Sequence, residues 1–304
     1  MLGYITPPTK PKYYMPYRVV AASDASDESK KKAHYVCDGT NDHEEILQAI
    51  NDLPSQGGIV FLTEGNFNWN TRASIRDNVA LVGCGMEYTV VNLYNVSNSF
   101  DFGNNCMLKD IKFNRKISSN DFSWKAPTVV DRCYISTRAF NNIEAPFFIS
   151  NSKIYVSEKL IVRGGYETHI SNSLVSGTVQ ICRGGNLYAS SSSLGTIYFY
   201  PIDSGTGYTQ LSSCSVSTLK TTSTGVNARI VCSSCTIGGI SYSHSYPPTL
   251  ISSCYFTGNL TAYQNTYVEG SYIKGNLTVN GGVVTNCRVD GNITFNSGVL
   301  GVIY

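Results

Sequence analysis

The chain has 304 residues, a formal net charge of +2 and 42% hydrophobic residues. That length suits one large domain or two ordinary ones, and so balanced a charge removes any global electrostatic case for nucleic acid. The opening MLGYITPPTKPKYYMP lacks the apolar segment of a secretion signal, and no apolar run is long enough to span a bilayer, so the ten cysteines are expected to be free thiols of a protein folded in a reducing cytosol.

Charge is unevenly spread. Residues 169–304 carry only eight of the 44 charged side chains and are rich in Ser, Thr, Asn, Gly and Tyr instead. Residues 1–34 are Pro- and Tyr-rich and end in SDASDESKKK (23–32). They read as an extended or mobile attachment arm whose lysines are solvated. The folded domain is expected to span 35–304. It opens with a short helix. Thr40, Asn41 and Asp42 are N-cap candidates, and Glu44 and Glu45 lie in the first turn. Ile46, Leu47, Ile50 and Leu53 form one apolar face, and Pro54 and Gly57–Gly58 end the helix. His43, in the first turn, is expected to be exposed. IVFL (59–62) reads as a buried strand, and EGNF (64–67) leads into the next.

From residue 108 onward a six-residue core recurs: LKDIKF (108), VDRCYI (130), ISNSKI (149), ISNSLV (170), a degenerate YASSSS (188), LSSCSV (211), CSSCTI (232), ISSCYF (251), VEGSYI (268) and VTNCRV (284), in steps of 16 to 23 residues. The steps are too short for helical-pair repeats. Position three is Asn151, Asn172, Ser213, Ser234, Ser253, Gly270 or Asn286, residue types that accept a tight left-handed bend. If the bend resets the alternation of the strand, positions one, four and six face inward together. Position four is then a column of small side chains, Cys133, Ser152, Ser173, Ser191, Cys214, Cys235, Cys254, Ser271 and Cys287. This predicts an all-β parallel solenoid whose coils stack at about 4.8 Å, with the helix covering its first open edge. The cysteines are expected to pack as small hydrophobes, and CSSC (232–235) matches a metal or redox motif in spelling only. The sequons at Asn259, Asn276 and Asn292 fall at a second turn of the repeat and are expected to be structural.

DGTNDHEEILQAI, GGIVFLTEGNF and NVALVGCG, across residues 35–85, resemble the start of right-handed parallel β-helix proteins of the pectin-lyase-like superfamily. The short DGT helix is similar to openings in phage and prophage tail or surface proteins. The resemblance implies a virion or tail-associated structural or receptor-binding protein, a homotrimer, an arm (1–34) docking on other virion proteins, and a cell-surface polysaccharide as ligand. Its other implication is a polysaccharide lyase or glycoside hydrolase. The Asn-x-Asp, Asp-Asp, Gly-His-Gly and Arg-x-Lys motifs of polygalacturonase-like members do not occur. His34, His43, His169 and His244 lie in different segments. No catalytic, metal or cofactor residues are therefore nominated. In the coil register Lys109 stacks on Asp131 and Asp110 on Arg132, expected as cross-rung ion pairs. A surface for glycan or subunit contact is expected at the outward position five, at Tyr134, Lys153, Tyr255 and Tyr272.

Overall fold

The computed structural model describes residues 15–304 apart from 73, 95–99, 116–120, 125–127, 144–145, 164–165, 183, 201–206, 222–227 and 243–247. Every coil from Asp110 onward turns one corner on a residue in the left-handed region: Asp110, Arg132, Asn151, Asn172, Ser191, Ser213, Ser234, Ser253, Gly270 and Asn286, with φ between 47° and 58°. On either side of that corner run two 16-stranded sheets, and their described strands pair in parallel. The chain is a single-stranded, right-handed parallel β-helix.

The corner makes the core. Before it, Val60, Leu81, Leu108, Val130, Ile149, Ile170, Ala189, Leu211, Cys232, Ile251, Val268 and Val284 stack in register and are buried. After it, Phe113, Ile135, Ile154, Val175, Leu194, Val216, Ile237, Phe256 and Ile273 do the same on the second sheet. The second sheet breaks register between Tyr155 and Lys159 and between Val175 and Thr178, which folds it over a further edge of the tube.

Position four holds the corner together. The Ser152 hydroxyl donates to the Ser150 carbonyl (2.7 Å) and accepts from the Cys133 amide of the preceding coil (3.0 Å). Ser173 repeats this with Ser171 and Ser152 (2.7 and 3.1 Å), and Ser192 with Ser190 and Ser173 (2.7 and 3.2 Å). Cys214, Cys235, Cys254 and Cys287 donate their thiols to the carbonyl two residues back at 3.2–3.3 Å. The Cys254 sulfur accepts the Cys235 amide (3.4 Å). Ser and Cys interchange here because each offers a donor and an acceptor on one small atom. All ten cysteines are free, and all but Cys84 are buried.

Three expectations need correction. In the degenerate coil the left-handed residue is Ser191 and the interior hydroxyl belongs to Ser192, so the coil starts at Ala189 rather than Tyr188. The run of serines concealed the register. The segment read as an arm is part of the solenoid from Tyr17 on. Strand Tyr17–Ala21 pairs in parallel with Gly58–Leu62 and Tyr35–Val36, because Val20, Ala21 and Ala22 supply apolar surface to the first edge. Helix Asp27–Lys32 follows, capped by the Ser26 hydroxyl. Residues 1–14 lie outside the described part. His43 is 7% exposed, packed against Trp69 with ring centroids 5.9 Å apart.

The cap helix runs His43–Asn51 and buries Ile46, Ala49 and Ile50. Asp42 stands at its N-cap, but the carboxylate reaches elsewhere. It accepts the Gly39 amide (2.8 Å) and, from the next strand, the Asn68 amide (2.7 Å). Burial pushes the Asp42 carboxyl above its ordinary range against those two bonds. At the other end the Arg76 guanidinium donates to the carbonyls of Ile50, Leu53 and Pro54 (3.1, 2.6 and 2.9 Å), closing the helix C-terminus. The sequons form a ladder: Asn259 Oδ1 accepts the Asn276 amide (2.8 Å), and Asn276 Oδ1 the Asn292 amide (2.9 Å). The glycines before them stack so tightly that a Cβ on Gly291 would lie 2.6 Å from the Gly275 carbonyl oxygen.

Candidate functional site

Tyr134, Lys153, Tyr255 and Tyr272 fall in one outward column of the second sheet, Lys112–Tyr134–Lys153–Leu174–Ser193–Ser215–Thr236–Tyr255–Tyr272–Arg288. They form two clusters separated by Leu174, Ser193, Ser215 and Thr236, about 24 Å at the coil spacing. Rings on successive rungs lie against one another. Tyr255 and Tyr272 stack at 5.1 Å, and Arg288 covers Tyr272 from the following rung at 5.1 Å. Tyr134 has Tyr155 at 5.2 Å and Lys112 at 5.1 Å. The faces of Tyr134 and Tyr272 are thus occupied within the chain. They offer a ligand their edges and hydroxyls, and the Tyr272 hydroxyl already donates to Asp290.

A second outward column, on the first sheet, went unnoticed in the sequence. Phe148, His169 and Tyr188 stack at 5.0 and 4.9 Å with planes 13° apart, and Tyr208 lies 5.8 Å beyond. Phe148, His169 and Tyr188 immediately precede position one of their coils, and Gln210 holds that place in the next. The slipped anchor had assigned Tyr188 to the interior and so broke the stack. Beside it opens a groove lined by His169, Ser171, Tyr188, Ser190, Gln210 and Ser212. His169 Nε2 meets Glu167 at 3.0 Å. Burial, with Glu167 and Tyr208 nearby, pushes the Tyr188 phenol above its ordinary range. The groove therefore presents hydroxyls, an amide and aromatic edges, and Glu167 is the carboxylate beside it.

Asp110 and Asp131 are engaged. Arg132 grips Asp110 with two bonds of 2.6 Å and Asp131 with one of 3.0 Å. Burial raises the Asp131 carboxyl, but bonds from Asn151 and Ser150 and the charges of Arg132 and Lys109 outweigh it and hold it low. The expected Asp110–Arg132 pair is present, and Lys109 and Asp131 are register partners. A groove nearer the cap, lined by Ser55, Ser74, Arg76, Asp77 and Asp101, does bring two carboxylates together. Asp77 accepts from the Asn104 amide and side chain (2.7 and 2.9 Å), and Asp101 pairs with Arg72. Among the described residues one group has ligand-like convergence, Cys37, Asp42 and Glu45, within 4.8 Å of one another under the cap helix. His244 lies outside the described residues.

No family model and no curated protein sequence matches the chain. Solved structures do. The catalytic unit of a GH87 alpha-1,3-glucanase from Streptomyces thermodiastaticus overlays 86% of this chain with a TM-score of 0.53 and 13% identity. The Agl-KA catalytic domain overlays 88% with a TM-score of 0.54 and 12% identity. The fold that this chain shares with those structures is the right-handed parallel β-helix. The chain spans 65% and 66% of the length of those two structures. ORF18 of Geobacillus virus E2 overlays 87% of the chain at 14% identity, with a TM-score of 0.44 and 59% of its own length covered. No helix among the described residues is long and apolar enough to cross a membrane.

Proposed function

We propose that this β-helix is a non-catalytic scaffold that holds an extended polysaccharide along the groove beside Phe148, His169, Tyr188 and Tyr208, as a receptor-binding surface protein of the phage-tail type. The observation that carries the reading is the groove itself: Ser171, Ser190, Ser212 and Gln210 repeat along a rigid sheet beside an aromatic stack, with neutral donors and acceptors at the coil spacing. Such a lining suits sugar hydroxyls. The virion setting rests on the similarity of the DGT opening to phage proteins. The test is calorimetry against a panel of bacterial surface polysaccharides and alpha-1,3-glucan. Tyr188→Ala and Gln210→Ala are each expected to weaken binding about tenfold, near 1.4 kcal/mol. Binding unaffected by either change, or no binding across the panel, overturns it.

One observation favours a hydrolase reading: the two carboxylates of the Asp77–Asp101 groove. Release of new reducing ends, abolished by both Asp77→Asn and Asp101→Asn, would establish that reading in place of the first.

A further inference from the structure

The aromatic stack beside the groove is one stretch of a longer feature. Phe148, His169, Tyr188 and Gln210 stand in register on successive rungs, and the same outward column continues through Val231, Leu250 and Tyr267. Phe148, Leu250 and Tyr267 are 40%, 37% and 50% exposed. A sheet face turned to water usually carries polar side chains, so a contiguous outward line of apolar and aromatic ones marks a binding surface.

A second outward column runs alongside: Ser150, Ser171, Ser190, Ser212, Ser233 and Ser252, one hydroxyl per rung. The Ser150 hydroxyl donates to Asp131 (2.8 Å), and among the described residues no hydrogen bond engages the other five. The strands that carry these rungs hold Glu167, Arg229 and Glu269 and, His169 aside, no other charged side chain.

We propose that the ligand of this face is an uncharged, linear polysaccharide lying parallel to the tube axis along both columns from Phe148 to Tyr267, about 29 Å at the rung spacing. This rests on the reading of the groove as a sugar site and extends it in length and in ligand class. A pyranose has an apolar ring face and a rim of hydroxyls, and it advances an extended chain by about one rung. Ring faces then lie on the apolar column while the rims meet the serines, one sugar to a rung. The unengaged serine hydroxyls, each both donor and acceptor, are matched by such a rim. An acidic chain would instead bring carboxylates to rung after rung and find one base, Arg229, against Glu167 and Glu269. Desolvating those carboxylates without partners is costly.

The test is calorimetry with linear glucan and mannan oligosaccharides of about three and about seven units, cut to the height of as many rungs, each beside its derivative oxidised at the primary hydroxyls to carboxylates. The longer neutral chain of at least one series is expected to bind at least about tenfold more tightly than the shorter one and than its own acidic form. Leu250→Ala and Tyr267→Ala should each weaken the longer chain about tenfold and leave the shorter one unchanged, which also shows that both variants are folded. Tyr188→Ala should weaken both lengths. Equal affinity for the two lengths, or a longer chain indifferent to Leu250→Ala and Tyr267→Ala, overturns the extended site. An acidic form bound as tightly as the neutral one overturns the ligand class. In either case a loss of binding in Tyr188→Ala leaves the groove standing as a sugar site. Binding by none of these oligosaccharides overturns the inference, and the panel of whole polysaccharides then decides the groove separately. A dimer by light scattering that Leu250→Lys dissociates overturns it too, and assigns the column to a second copy of the chain.

Discussion

Ser173→Ala tests the corner ladder most directly. The Ser173 hydroxyl is 5% exposed as part of its residue, donates to Ser171 at 2.7 Å and accepts the Ser152 amide at 3.1 Å. Alanine removes both bonds. The Ser171 carbonyl keeps the Asn151 amide as a donor (3.1 Å), so its loss is small. The Ser152 amide is left without its acceptor in the core, which costs about 1–3 kcal/mol. We expect about 2 kcal/mol, a large part of the roughly 5–15 kcal/mol that holds a typical domain. Ser173→Cys should cost less than about 1 kcal/mol, since thiols fill the same position in other coils. Urea unfolding gives the global order, parent ≥ Cys > Ala. Solenoids can open by segments, so amide exchange at Ser152 supplies the local reading and should accelerate in the alanine variant alone. If Ser173→Ala lies within about 0.5 kcal/mol of the parent, the usual spread of inert surface changes, and leaves Ser152 exchange unaltered, the ladder does not stabilise the corner as described.

Arg76→Met removes the guanidinium from three carbonyls at the end of the cap helix; Ile50 and Pro54 keep the Leu53 and Gly57 amides, so the Leu53 carbonyl bears most of the loss. The change should cost about 1–2 kcal/mol, with exchange in His43–Asn51 rising before that of the distal coils. Glu64 is held at about 2 by the Ser26 amide, with help from the Ser26 and Ser29 hydroxyls. Its folded value lies below the unfolded one of about 4.3, so its contribution is present above the unfolded value and fades as pH falls toward 2. Glu64→Gln should flatten the acid limb of a circular-dichroism titration between about pH 5 and 2. One thiol, Cys84, should react ahead of the others with a disulfide reagent, because it is exposed while the rest are buried; partial burial raises its thiol too, so access rather than acidity sets the order, and burial pushes Cys106 to about 11 and Cys133 to about 12. Several fast thiols in the native protein would contradict the packing.

The solenoid was legible because its constraint is local and repeated. One left-handed residue per coil must be Asn, Ser, Gly or an exception, and the interior position after it must be small. Arg132 is such an exception, a charged residue held at φ 49° with Asp110 and Asp131 within its reach. The degenerate coil misled because Ser190, Ser191, Ser192 and Ser193 each fit position three or four, so composition could not choose the register. That single slip hid the Phe148–His169–Tyr188 stack. The cap contacts were illegible for another reason. Arg76 is 26 residues from Ile50, and His43 meets Trp69 only after the helix docks. The strand at Tyr17–Ala21 escaped notice because it is short and follows a Pro-rich opening.

The buried column from Val60 to Val284 has a consequence for whatever the protein touches. Each rung adds about 4.8 Å, so the cap and the last coil are held roughly 50 Å apart by the tally of turns alone. The molecule is a ruler, and inserting or deleting a whole coil would reset that distance in fixed graduations while leaving both of its ends as they are.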